Sequence, residues 1–173
     1  MQALISFLTR FIPRHIMHSL SHWTILRIAF VWNGNVFEDP ISGKTYRKML
    51  PYGRMNPRPN ALAPHSLSLE RHRTLWIHLK QNTDFFERPM RFLHLAPEYC
   101  FLGLFKQMEQ LDYVTADLNS PWADHHFDVH SIPFEDDSFD VVMGNHLLEH
   151  VKDDLQVMKE FYRVMKPGGW GIF

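Results

Sequence analysis

Eight ionisable or amide side chains in the second half of the chain fall where short apolar runs stop. They are His94 and Glu98 in RFLHLAPE, Asp117 closing YVTADL, Asp128 opening DVHSIPFEDDSFD, and Asn145, His146, Glu149 and His150 in VVMGNHLLEH. A carboxylate just past a parallel strand can accept both hydroxyls of a ribose, so Asp117 has the placement that suits a nucleoside. Asp128 could accept from an adenine amino group while Val129 packs on the ring. An imidazole titrates near working pH, which makes His146 and His150 the candidates to take a proton from a substrate.

These residues need a scaffold that delivers strand ends to one place. RFLHLA (91–96), YVTADL (113–118), FDVVMG (139–144) and WGIF (170–173) read as strands. Between the first two, Phe101, Leu104, Phe105 and Met108 recur at helical spacing. After the third, Leu155, Met158, Tyr162 and Met165 do the same and are expected to form the packed side of a helix, with KPGG as the turn into the last strand. Strands alternating with helices at this spacing predict an α/β domain, a Rossmann-like, mostly parallel sheet with helices on both faces. In such sheets ligands lie beyond the carboxyl ends of the strands, which selects Ala96, Glu98, Asp117, Leu118, Asn145 and His146 as site residues.

The first half is different. Residues 1–32 carry apolar positions from Leu4 to Phe30 at helical spacing and predict amphipathic helices, a leader that contacts either a membrane surface or a second copy of the chain. Residues 33–66 are rich in Gly, Pro and Asn and predict short strands and turns. Within them Asp39-Pro-Ile-Ser42 and Ala63-Pro-His-Ser66 have the C-P-x-C shape of a zinc knuckle with every cysteine replaced, so no structural zinc is expected. SLSLERHRTLWIHLK (66–80) reads as a helix capped by Ser66 or Ser68, with Leu69, Leu75, Trp76 and Leu79 inward and Arg71, Arg73 and Lys80 outward.

Composition excludes several classes. With 18 basic and 19 acidic residues and a formal charge of −1, nothing in the total charge calls for nucleic acid as a partner. Arg10, Arg14 and Arg27 interrupt the apolar N-terminus, so a spanning helix is not expected. The single cysteine, Cys100, provides no intrachain disulfide and fits a cytoplasmic protein.

The run from Arg91 to Phe173 resembles the class I S-adenosylmethionine-dependent methyltransferases of the type 11 kind. The motif D-x-x-x-L-P-F-x-D-x-S-F-D stands here as Asp128 to Asp140 with Ile132 for the leucine; NHLLEHV and FYRVMKPGGWGIF resemble the next two blocks. The resemblance implies S-adenosylmethionine as cofactor and a small-molecule or glycan-like acceptor. It also implies Asp117 on the ribose, Asp128 and Val129 at the adenine, and Asn145 and His146 near the sulfonium. Two departures stand out. The usual acid and alternating glycines of the first block are here His94-Leu-Ala96-Pro-Glu98, where Glu98 is expected to meet the cofactor amino group, since Pro97 has no N–H to offer. The chain also ends inside the fifth strand of that fold, which implies a C-terminal truncation. Residues 35–80 resemble the zinc-ribbon-like leader of some of these enzymes without its cysteines. The expected organisation is a leader at 1–32, the degenerate ribbon plus a helix at 33–82, and the first part of the methyltransferase fold at 83–173. A non-catalytic, degenerate methyltransferase acting as an interaction module is the alternative, and a nicotinamide-dependent oxidoreductase would want a glycine-rich turn at 95–100 that is absent.

Overall fold

The computed structural model of the chain describes residues 22–53 and 55–173. Of the leader at residues 1–32, residues 1–21 lie outside them. The chain divides into two units, Met1–Thr83 and Asp84–Phe173.

In the first unit, residues 22–28 are helical and Ala29–Trp32 form a 3-10 turn. Two antiparallel hairpins follow, β1 (Asn33–Asp39) with β2 (Lys44–Tyr46), and β3 (Leu50–Tyr52) with β4 (Arg58–Leu62). Tyr46, Met49 and Ala63 form their buried centre, with Trp32 and Phe37 packed against it. The two knuckle-shaped segments do come together, through oxygen atoms. Buried Asp39 accepts from Ser42 Oγ at 2.5 Å and from Ser68 Oγ at 3.3 Å, and Ser66 Oγ donates to Ser68 Oγ at 2.7 Å. Among the described residues no group of three or more His, Cys, Asp or Glu is arranged to hold a metal ion.

Helix α1 (Glu70–Asn82) starts later than the serines suggest. Ser66 and Ser68 are spent on the Asp39 network, and the helix is capped by His72, whose Nδ1 accepts from the Leu69 N–H at 3.1 Å. Leu75, Trp76 and Leu79 are buried as expected. Arg73 is not a solvated charge, because its guanidinium donates to the carbonyls of Ala61 and Ser68.

The second unit is a five-stranded, wholly parallel sheet in the order β7-β6-β5-β8-β9. Its strands are β5 (Met90–Leu95), β6 (Leu111–Asp117), β7 (His125–His126), β8 (Phe139–Met143) and β9 (Met165–Ile172). Helix α2 (Tyr99–Lys106) follows β5, and α3 (Asp154–Val164) follows β8. Alternation along the central strand supplies one face to each helix. Phe92 stacks on His94 and on Tyr113 of β6 and meets Phe105 of α2 edge-on, while Leu93 and Leu95 enter a core with Val157, Phe161 and Val164 of α3. The Rossmann-like fold is therefore present.

Two local expectations need correction, and one strand was not anticipated. The packed side of α3 is Val157, Phe161 and Val164, all fully buried, whereas Leu155 and Tyr162 are 70% and 80% exposed. Both sets have helical spacing, and the helix's attachment chooses between them: Asp153 caps it by accepting from the Gln156 N–H at 2.9 Å and donates its own backbone N–H to His130 Nε2 at 3.3 Å. KPGG is not a turn before the last strand but a bulge within β9, between the pairs Phe139–Met165 and Val141–Trp170. A Cβ on Gly169 would lie 2.9 Å from the carbonyls of Asp140 and Lys166, so that bulge requires glycine. The two-residue strand β7 has no sequence pattern to announce it, being an exposed His-His pair held by its neighbour.

Candidate functional site

The strand order reverses between β5 and β8, so the loops after them diverge and leave a crevice at the carboxyl edge of the sheet. A cavity of about 680 Å³ opens there, lined by Ala96 after β5, Asp117 and Leu118 at the end of β6, Asp128 and Val129 after β7, and His150 after β8. Six of the sequence-selected residues therefore share one cavity.

Its two carboxylates are built alike. Asp117 Oδ1 accepts from the backbone N–H of Asn119 and of Ser120, at 2.8 and 2.7 Å. Asp128 Oδ1 accepts from the backbone N–H of His130 at 2.9 Å and from its Nδ1–H at 2.5 Å. In each case one oxygen holds the turn, and Oδ2 has no partner among the described residues. The bonds from His130, backbone first and then ring, hold the Asp128 carboxyl below its ordinary value. His130 was not among the residues selected from sequence, although it lines the cavity. Its Nε2 accepts from the Asp153 N–H at 3.3 Å, which ties the Asp128 loop to the start of α3. The apolar walls are Leu118, Val129, Phe127 and Leu147.

His94, Glu98 and Asn145 are brought together behind this cavity in a buried relay. His94 is fully buried, with Nδ1 2.8 Å from Tyr113 Oη and Nε2 2.7 Å from Glu98 Oε2; Asn145 Nδ2 donates to Glu98 Oε1 at 2.8 Å. Burial pushes the Tyr113 phenol well above its ordinary range, so it keeps its proton and donates to Nδ1. A carboxylate only accepts, so an Nε2–H of His94 points at Glu98. Burial pulls the Glu98 carboxyl up, but its contacts with His94 and the bond from Asn145 outweigh this and hold it below the usual glutamate value. Both Glu98 oxygens are engaged inside the protein. Glu98 thus bridges the loops after β5 and β8 across the point where strand order reverses. Tyr113 was missed from sequence because nothing in YVTADL marks its hydroxyl as a partner for a residue on the next strand.

His146 takes another direction. It has φ of +58°, is half exposed, and pairs through Nδ1 with Glu149 Oε1 at 3.0 Å, outside the cavity lining; a 3-10 turn, Leu148–His150, follows it. Of the two candidate bases, the structure places His150 at the cavity. Ala96 has φ of +48°, so the chain keeps a glycine-like backbone at the first loop although the residue has a Cβ.

Residues 101–173 match the family described as a methyltransferase domain. This segment is similar to that domain over 73 of the 173 residues. Over 44 residues, a quarter of the chain, it is 50% identical to the demethylmenaquinone methyltransferase of Lysinibacillus sphaericus, of which the match spans 19%. Over 46 residues it is 41% identical to the biotin biosynthesis bifunctional protein BioHC of Teredinibacter turnerae, spanning 8% of that protein. The matched segments thus cover a fifth or less of the length of these curated relatives. Among solved structures, the MccD protein aligns over 58% of this chain and 51% of its own at 18% identity and a TM-score of 0.48. The YcgJ protein of Bacillus subtilis aligns over 57% and 49% at 20% identity and a TM-score of 0.44.

The cofactor that the domain implies is S-adenosylmethionine, and the donor set fits its nucleoside part. Two carboxylates with one uncommitted oxygen each suit ribose hydroxyls and an exocyclic amine, and apolar walls suit a purine face. The first loop does not offer the expected Glu98 contact to the amino group, because that carboxylate is already shared by His94 and Asn145.

Proposed function

We propose that residues 84–173 bind S-adenosylmethionine in the cavity between Ala96, Asp117, Asp128 and His150, and that the protein transfers its methyl group to a small-molecule or glycan-like acceptor. The observation that carries this reading is the pair of carboxylates facing one cavity at the carboxyl edge of the sheet, each tethered by Oδ1 with Oδ2 uncommitted. Asp117 would accept the ribose hydroxyls and Asp128 the adenine amine, with Leu118 and Val129 on either side of the base.

When bound, the cofactor supplies a methyl group on a positive sulfonium, which an acceptor lone pair takes as the carbon–sulfur bond breaks. The chain's contribution is to hold donor and acceptor in line and to exclude water, which is where much of the rate in such displacements arises. His150, on the cavity wall, is positioned to take the proton that the acceptor loses. Asn145 serves the site through Glu98, and His146 stands outside it.

Calorimetric titration of the full chain with S-adenosylmethionine and S-adenosylhomocysteine tests this. Micromolar binding, on the order of −8 kcal/mol, that falls at least tenfold in Asp117→Ala is the expected result. A folded chain that binds neither compound would sink the proposal and leave an interaction module built on a methyltransferase fold.

A further inference from the structure

We infer that the surface formed by residues 23–31 is a docking face for an anionic lipid bilayer. The helical stretch of residues 22–32 carries apolar residues on more than one side. One side is used: His22 Nε2 lies 3.0 Å from the His65 carbonyl, Ala29 is fully buried, and Trp32 packs on the Tyr46, Met49 and Ala63 cluster. The other side carries Trp23, Leu26 and Phe30 at helical spacing, exposed by 56%, 40% and 69%, with Ile28 and Val31 exposed beside them. A helix with apolar residues all round is normally covered on all sides, so this face wants a partner.

The charge of this segment selects which partner. Arg27 lies on the same face, its guanidinium 4.8 Å from the Trp23 ring centre, an aromatic and cation pairing suited to the boundary between lipid tails and headgroups. No Asp or Glu occurs before Glu38, while Arg10, Arg14 and Arg27 all do, and Lys44, Arg47 and Lys48 of the following hairpin are exposed. All 19 acidic residues of a nearly neutral chain therefore follow this segment. A second copy is the less favourable occupant, since a two-fold contact sets the same surface against itself and brings Arg27 toward Arg27 in a segment whose sequence has no acid before Glu38. Phosphate headgroups neutralise those arginines and the tails accept Trp23, Leu26 and Phe30.

The test is flotation of the full 173-residue chain with vesicles of pure phosphatidylcholine and with vesicles containing phosphatidylglycerol. The expected result is binding to the second kind only, weakened by salt, with a blue shift of tryptophan fluorescence. Trp23→Ser with Phe30→Ser should lower partitioning by at least tenfold, and Arg27→Glu should lower it on anionic vesicles, both with unchanged circular dichroism. These residues lie on the outer side of their helix, and the cofactor titration of the same variants should be unaltered. Absence of binding to anionic vesicles, or binding indifferent to both variants, overturns the inference. So does a stable dimer in light scattering that the double variant converts to monomer, which would assign the face to a second copy.

Discussion

Removing the Glu98 carboxylate exposes how much the buried relay contributes. In Glu98→Ala, the His94 Nε2–H and the Asn145 Nδ2–H both lose their acceptor. His94 is fully buried and cannot turn to water, so its orphaned donor costs about 1–3 kcal/mol; Asn145 is half-buried and can partly rehydrate, at about 1 kcal/mol. The sum, about 2–4 kcal/mol, lowers a urea midpoint by about 1–2 M. Glu98→Gln keeps one carbonyl acceptor for two donors and should lose about half as much. The effect has a defined pH dependence. The folded-state pKa of Glu98 lies below the unfolded glutamate value of about 4.3, so its contribution is complete above that value and disappears as pH falls through the folded pKa. The stability gap between wild type and Glu98→Ala should be constant from neutral pH down to about pH 5.5 and shrink steadily below about pH 4. The assay is urea unfolding followed by circular dichroism across that range, with amide exchange of β5 as a local readout. A loss under about 1 kcal/mol at pH 7, or a gap that does not narrow in acid, would refute the claim that Glu98 anchors the loops after β5 and β8.

Two other substitutions probe loops of the second unit, one at the cavity and one beyond it. Ala96→Gly should raise stability by about 0.5–1 kcal/mol, because glycine removes the cost of φ at +48° and returns only part of it as chain entropy; an unchanged or lowered melting temperature would mean the loop is not strained. Arg163→Lys should cost about 1–3 kcal/mol and speed amide exchange across residues 132–136. The guanidinium bonds at once to the carbonyls of Ile132 and Phe134 and to Asp136 and Glu160, a fork that one ammonium cannot reproduce; equal melting curves would show that Arg163 does not hold that loop.

Periodicity and strand-end chemistry determined a great deal before any coordinates. Alternating apolar runs and helical spacing specify a parallel α/β sheet, because each pattern matches one repeat of backbone geometry, and the acids at 117 and 128 follow from where such sheets bind ligands. Polar capping and close approach are less visible. Ser66 and Ser68 look like helix caps, yet Asp39, about thirty residues away, claims them. On α3, two apolar sides of equal spacing compete, and the cap at Asp153 with its tie to His130 decides that Val157, Phe161 and Val164 face the sheet. Only the tertiary structure turned Glu98 from a prospective ligand contact into the centre of a relay. That role depends on Tyr113 and His94 sharing one face of adjacent strands and on Asn145 arriving from a third, a meeting set by sheet order rather than by any spacing along the chain.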